Sequence, residues 1–461
     1  MRHTRTRSFP VLMLTLAFFA GIIYFIVNLV INSSVWVSKP YNGHLSDSSG
    51  LEYAGKIIDR NGIILAKSED GKRIYNEDEI TRCACLHVVG DDSVNISTAV
   101  QTLYRSELSA YDFSFGLGIP NEMKEGKDIH ITIDSNVQRA AYEALGDRKG
   151  ACVVYNYKTG EIICLVSTPS YDPMDIPKDL DTNDVYEGAY INRAVSASYP
   201  PGSTFKLVTA AAALENDPEL EHLEYDCTGS TKIGDKDINC FEISGHIDMK
   251  DAIKTSCNAY FAELAILLGR DKMTAQAERM GFNKSWKFDG IETITNTYNV
   301  SSANDNNFAW SGVGQYTVLE SPINMAIRSS AIANDGVPVI PKLIQSIDKT
   351  FSGSLAPVPE RSEANRMMSS ETAEKLKEMM DYTVKNYYGN DNFSDELDVC
   401  AKTGTAEVSD DGLSHGWVTG FTKDEDCPLA FAVVVEHGNS GFYAAVPVAS
   451  AALTAAAASL R

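Results

Sequence analysis

The chain has 461 residues, 44% of them hydrophobic and only 16 proline, enough for one large or two to three smaller buried cores and unlike a disordered segment. Its formal net charge of -22 excludes nucleic acid or anionic headgroups as partners held by charge alone and reads as a solvated acidic exterior. Nine cysteines are odd in number, so at least one has no partner within the chain.

Arg2, Arg5 and Arg7 precede "FPVLMLTLAFFAGIIYFIVNLVI", residues 9–31, which carries no charged side chain. As a helix this run rises about 35 Å, enough to cross a hydrocarbon core of about 30 Å with some tilt. The following "NSSVWVSKP" offers no clear small-residue cleavage site, so the run is expected to be an uncleaved anchor rather than a signal peptide. Arginines before the span and none after it until Arg60 place residues 1–8 as a cytoplasmic tail, with everything beyond about residue 32 outside the membrane.

Residues 32–50 are polar and rich in Ser, Gly and Asn, as in a juxtamembrane tether. Next, "KIIDRNGIILAKSEDGKRIY" gives two β-rich runs around Asn61-Gly62, a hairpin signal. Residues 51–127 read as a small spacer without a chemical constellation, and residues 128–461 as the main domain. A helix is expected from Asp134, then two β-rich runs in "GACVVYNYKTGEIICLVS". One long helical pattern, "DMKDAIKTSCNAYFAELAILLG", comes later. Paired strands follow in "HGWVTGFT" and "LAFAVVVEHG", and an apolar helix from about Pro447 to Leu460, packed on the sheet, closes the chain.

The cysteines give no metal signal, because C-x-x-C pairs with accompanying histidines are absent, and the eight histidines show no ligand spacing. Cys227 and Cys240 flank the turn-rich "TGSTKIGDKDIN" and are placed to bridge across a hairpin; Cys83 and Cys85 are too near one another to pair. His415 is expected as a strand-end structural or cleft-lining residue, Cys257 as core packing turned away from its neighbours' face, and Trp310 and Trp417 as packing or cleft-bordering residues.

Chemistry enters at "YPPGSTFK", residues 199–206. Ser203 and Lys206 are three apart, on one side of a helix, behind a Pro-Pro-Gly stop that sets the serine at a first turn with free N–H groups. Such a serine can be acylated while its own N–H forms half of an oxyanion hole. Lys206 can act as its base only when neutral, which requires a pKa lowered by about 3 units through desolvation and nearby positive charge. Serine is also a common helix cap, and a second S-x-x-K at Ser346 and Lys349 has neither the Pro-Gly lead-in nor an apolar helix. The spacing alone therefore decides nothing.

Two further motifs lend it weight. "TSCN" supplies Ser256 and Asn258, and "AKTGTAE" supplies Lys402, Thr403, Gly404 and Thr405 in a β-rich run. S-x-N also occurs at Ser93 and Ser302, but the ordered trio of S-x-x-K, S-x-N and K-T-G is the signature of penicillin-binding proteins and class A β-lactamases. With "NRAVSASYPPGSTFK", "STPSYDP", "CTG", "SCNAYF", "KTGTAE" and "GWVTGF" in family order, the chain resembles a class B penicillin-binding protein, the monofunctional peptidoglycan transpeptidase. The resemblance covers residues 129–461, and "IIDRNGIILA" resembles the opening motif of the family's spacer domain. Ala54 stands where arginine is usual, and Tyr316 where glycine is usual.

The resemblance implies an α/β fold of the α+β type, a largely antiparallel sheet flanked by helices, as in the penicillin-binding protein and serine β-lactamase transpeptidase domain. It implies that Ser203 attacks the carbonyl between two D-alanines of a stem peptide, that Lys206 takes the serine proton, and that Ser256 relays a proton to the leaving nitrogen. Asn258 would hold the donor amide and orient Lys206. Lys402, Thr403 and Thr405 would receive the terminal carboxylate, Gly404 would let substrate lie against the strand, and the Thr405 N–H would complete the oxyanion hole. No cofactor is implied. The implied partners are the D-Ala-D-Ala donor, an amine acceptor, β-lactams and a multispan membrane glycosyltransferase. A carboxypeptidase or serine β-lactamase would share the acylation and use water instead of an amine; a β-lactam sensor would need additional membrane spans and a cytoplasmic protease where this sequence shows a single clear span, and a catalytically silent scaffold would not need the intact trio.

Overall fold

The first described element is a single helix, α1, over Arg2–Val37. Its stretch Phe9–Leu29 is long and apolar enough to cross a bilayer, and none of it is buried against the rest of the chain. The computed structural model describes residues 2–37, 51–109, 126–348, 361–394, 396–408 and 413–461. Residues 38–50 of the expected tether, 110–125 of the expected spacer and Lys349 of the second S-x-x-K lie outside the described residues.

The Asn61-Gly62 hairpin forms, with Gly62 at φ +82° in the turn and Ile57–Ile58 running antiparallel to Ile64–Glu69. This sheet does not close on itself. Ile129–Ile131 pairs parallel with Ile57–Ile58, and Ile344–Ile347 pairs antiparallel with Ile129–Ile131 beyond it, so the sheet straddles the boundary expected near residue 127. Arg73 of the third strand donates to the Ala54 and Gly55 carbonyls, tying the segment around Ala54 to that sheet. Helix α2, Glu79–Val89, is capped by Asp78 and packs beside it.

The second sheet positions the site. Its strands are β1 (Gly150–Asn156), β2 (Ile162–Thr168), β3 (Val399–Glu407), β4 (Ser414–Thr422) and β5 (Leu429–Val435). Their spatial order is β3-β4-β5-β1-β2, antiparallel throughout, with β3 at an edge. Both faces are covered, which explains why β1 and β5 read as nearly continuous apolar runs instead of alternating ones. Cys152, Val154, Phe431 and Val433 point into one core, and Ala151, Val153, Ala430 and Ala432 into the other.

The first core is closed by α3 (Ser135–Leu145), capped by Asp134, and by the C-terminal helix. The second is filled by α4 (Lys206–Asn216), α5 (Met249–Thr255), α6 (Asn258–Leu268), α7 (Pro322–Ala333) and α8 (Ser370–Thr383). The C-terminal helix α9, Val446–Leu460, lies half buried on the sheet as expected. One expectation fails. The long pattern over residues 248–269 breaks into α5 and α6, because Ser256 takes a left-handed conformation at φ 58° and Cys257 is extended.

Candidate active site

Three chain segments meet in one groove between β3 and the helices of the second core. The first is the nucleophile turn. Pro200 and Pro201 stop the incoming chain, Gly202–Phe205 forms a 3-10 turn, and α4 begins at Lys206. The turn is pinned from outside: Tyr199 exchanges both backbone hydrogen bonds with Glu320, Gly202 N donates to the Gly314 carbonyl, and Trp417 Nε1 donates to the Pro200 carbonyl. Gly202 sits at φ +54°, and a Cβ there would lie 2.3 Å from the Thr405 carbonyl oxygen. The turn can thus press against β3 only with glycine at this place.

The second segment is the break between α5 and α6, where the left-handed turn at Ser256 aims its hydroxyl and carbonyl at the nucleophile turn. Asn258, the first residue of α6, is held by its own Nδ2 donating to the Asn239 carbonyl at 2.8 Å, which leaves Oδ1 facing the groove. Edge strand β3 is the third. A Cβ on Gly404 would lie 2.8 Å from the Pro201 carbonyl, so the K-T-G glycine lets the strand lie against the turn.

Lys206 is the centre of the constellation. Its Nζ lies 3.0 Å from Ser203 Oγ, 3.1 Å from Ser256 Oγ and 2.7 Å from Asn258 Oδ1, and also bonds the Ser256 carbonyl. Two of these partners, the Asn258 and Ser256 carbonyl oxygens, are acceptors only. A neutral amine gives its two N–H groups to them and turns its lone pair toward the hydroxyls, where Ser203 is the nearer. The side chain is fully buried, and burial, reinforced by the charge of Lys402, pushes its pKa well below the ordinary lysine range. The arrangement is that of a general base poised on a serine.

On the far side of Ser256, Lys402 Nζ lies 3.1 Å from the same Oγ and donates to the Thr403 carbonyl at 2.8 Å. Burial lowers Lys402 to about 7. Ser256 Oγ therefore bridges two lysines, a position from which a hydroxyl can pass a proton along. Thr403 N–H points out of the sheet edge to the Tyr388 hydroxyl, 3.0 Å away. Alternation along the strand directs the Thr405 N–H out of the same open edge, beside Ser203.

All eight residues expected from the sequence are thus drawn into one groove. Sequence reasoning missed Tyr388, whose hydroxyl also reaches Thr403 Oγ1 at 2.8 Å, and Asn239, which acts through its backbone. One of 21 tyrosines, in "VKNYYG", carried no signal. His415 is buried on β4 against Tyr199 and is depressed by burial; Trp417 is fully buried. Tyr316 holds a left-handed φ of 68°, so the loop keeps a glycine-like backbone where the family has glycine. The bridge considered between Cys227 and Cys240 is not formed: both are free, with sulfurs 3.7 Å apart, because Cys240 lies between Cys227 and Cys257. Cys257 turns away from the groove, toward that sulfur.

A model of the penicillin-binding protein transpeptidase domain matches residues 150–454. The peptidoglycan D,D-transpeptidase PbpA of Mycolicibacterium smegmatis is 29% identical over 365 residues, 72% of this chain and 72% of the relative. Penicillin-binding protein A of Mycobacterium tuberculosis, solved as its penicillin G acyl-enzyme, superposes with TM-score 0.74 and 26% identity over 88% of this chain and 100% of that one. The D,D-transpeptidase domain of an Eggerthella lenta peptidoglycan glycosyltransferase superposes with TM-score 0.73 and 28% identity over 88% of this chain and 98% of that one.

Proposed function

The chain belongs to the penicillin-binding protein transpeptidase family, and from that premise we propose how its groove works as a peptidoglycan D,D-transpeptidase acylated by β-lactams. The observation that carries the assignment of roles is the position of Lys206 Nζ, 3.0 Å from Ser203 Oγ and held off by Asn258 and the Ser256 carbonyl.

Lys206, neutral, takes the Ser203 proton as Oγ attacks the carbonyl between the two D-alanines of a stem peptide. The negative charge that develops on that carbonyl oxygen falls to the N–H groups of Ser203 and Thr405. Lys402 with the Thr403 and Thr405 hydroxyls receives the terminal carboxylate, a cation and two donors for one anion in a buried groove. The proton on Lys206 then passes through Ser256 Oγ to the departing nitrogen, and D-alanine leaves. An amine of a neighbouring stem attacks the acyl-enzyme along the reverse route: it loses its proton through Ser256 Oγ to Lys206, the ester bond to Ser203 Oγ breaks as the amide crosslink forms, and Lys206 returns that proton to Ser203 Oγ, which restores the hydroxyl and the neutral amine. A β-lactam enters the same path, but its leaving nitrogen stays tethered and blocks the amine.

The finer reading divides the chain into a cytoplasmic tail (1–8), an anchor (9–31), a tether (32–50), a spacer (51–127) and a transpeptidase domain (128–461) facing away from the cytoplasm. A multispan glycosyltransferase is the proposed membrane partner, meeting α1 and the spacer. Supplying the protein with a D-Ala-D-Ala stem peptide and an amine acceptor tests the reaction. Joined peptide as the main product is expected; free tetrapeptide alone would identify a carboxypeptidase, and rapid turnover of penicillin a β-lactamase.

A further inference from the structure

Tyr388 touches the K-T-G strand, yet no step of the acyl transfer uses it. Helix α8 does not stop at Thr383 but widens into a π turn over Val384–Tyr388, closed by the Gly389 N–H donating to the Val384 carbonyl. The wider turn takes Tyr388 out of the register that α8 would have given it. Its ring lies between those of Tyr387 and Phe442, with centroids 5.8 Å away on each side, and its backbone carbonyl accepts from Asn392 Nδ2. The side chain is only 5% exposed, so substrate does not reach it. Burial also raises the phenol above the ordinary tyrosine range, which keeps its proton in place.

The hydrogen bonds around that hydroxyl fix where its proton goes. A phenol has one hydrogen to donate and an oxygen that accepts. The Thr403 N–H donates to this oxygen at 3.0 Å, and Lys402 Nζ makes a longer contact at 3.5 Å; neither group, with Lys402 charged, can accept. The hydrogen is left for Thr403 Oγ1, 2.8 Å away. A threonine hydroxyl that accepts on that side turns its own hydrogen elsewhere. Lys402 meanwhile directs its other N–H groups at the Thr403 carbonyl and Ser256 Oγ. An anion entering the groove therefore meets the charge of Lys402 with its N–H bonds already directed at the protein, and draws its own hydrogen bonds from hydroxyls.

On the reading that Lys402, Thr403 and Thr405 receive the donor's terminal carboxylate, we propose that Tyr388 is a positioning residue which turns the Thr403 hydroxyl hydrogen toward that carboxylate and so makes the groove selective for donors ending in a free acid. Without the phenol hydroxyl, Thr403 Oγ1 loses the donor that fixes its rotor, and a carboxylate meets a lone pair as readily as a hydrogen. The loss falls on anionic donors, because a hydrogen bond to an ionised acceptor is about twice as strong as one to a neutral ester.

The test uses the full chain in detergent and two probes, benzylpenicillin and its methyl ester, whose second-order acylation rates are read by stopped-flow and intact mass. The wild type should react with the acid at least about 100-fold faster than with the ester, since a cation and two hydroxyls recognise the charge. Tyr388→Phe, which keeps the ring, should lower the acid rate about 10- to 100-fold and change the ester rate less than about threefold. Circular dichroism checks that it is folded. Thr403→Ser is an independent second variant: it removes the methyl group that restricts the threonine rotor and leaves the Tyr388 hydroxyl to orient Oγ, so it should keep the acid preference within about threefold. An acid preference that persists in folded Tyr388→Phe, an equal loss toward both probes, or a preference abolished in Thr403→Ser would each overturn the role of Tyr388 alone. A wild type that does not distinguish acid from ester would overturn the carboxylate reading of the K-T-G segment, and this proposal with it.

Discussion

At the residue scale, one requirement governs the groove: two lysines share the Ser256 hydroxyl, and they must differ in charge. Lys206 has to be neutral to take a proton, whereas Lys402 has to be charged to hold a carboxylate. Acylation by a labelled penicillin should therefore rise with pH through the depressed pKa of Lys206 and fall again above about 7 as Lys402 loses its proton. Lys402→Arg cannot lose its charge, so it should lack the alkaline fall even though its maximum rate drops about tenfold. Stability carries the same signature with its own sign. A lysine lowered to about 7 binds fewer protons folded than unfolded between that value and 10.5, so each pH unit across the window favours folding. From pH 7 to 9 the wild type should gain up to about 2–3 kcal/mol on Lys402→Met in denaturant unfolding. Tyr388→Phe leaves the Thr403 N–H and hydroxyl without their partner, at about 1–3 kcal/mol. Its second-order acylation rate should fall 10- to 100-fold. The eight groove residues were legible because three short motifs occur in order; Tyr388 was not, since its role depends on where one ring meets a strand edge.

At the element scale, the sequence periodicity located α3, α4, α9 and all five strands of the second sheet, because each buries a face or a continuous apolar run. The periodicity could not show the break at Ser256. Residues 249–268 keep apolar positions at helical spacing on both sides of it, and the left-handed turn is stabilised by tertiary bonds from Lys206 and Lys402 to a single serine. Nor could it show that Ile129–Ile131 and Ile344–Ile347 complete the first sheet, since neither short run says which edge it joins. Close packing of the nucleophile turn on β3 gives the sharpest test here. Gly202→Ala places a methyl 2.3 Å from the Thr405 carbonyl at a φ of +54°. It should cost about 2–4 kcal/mol in urea unfolding and reduce acylation far more than a change of equal thermodynamic cost elsewhere in the second core, since it separates Ser203 from the Thr405 N–H.

At the scale of the whole molecule, an exposed apolar helix and an acidic body built around two five-stranded sheets are separate elements. No described residue of Phe9–Leu29 is buried against the groove's elements, so on the proposed reading of this helix as an anchor it sets where the reaction occurs and leaves the barrier unchanged. Deleting residues 1–37 should move the protein from the membrane to the soluble fraction and leave its penicillin acylation rate within about twofold, a comparison made by fractionation and stopped-flow labelling. The central claim is that hydroxyl, amine and amide from three remote segments act together on Ser203. Intact-mass and peptide mapping after incubation with a labelled penicillin tests it most directly: one stable adduct per chain on the peptide containing Ser203, absent in Ser203→Ala and formed at least about 1000-fold more slowly in Lys206→Ala, is the predicted result. An adduct on any other residue, or one that forms undiminished in Lys206→Ala, would contradict it.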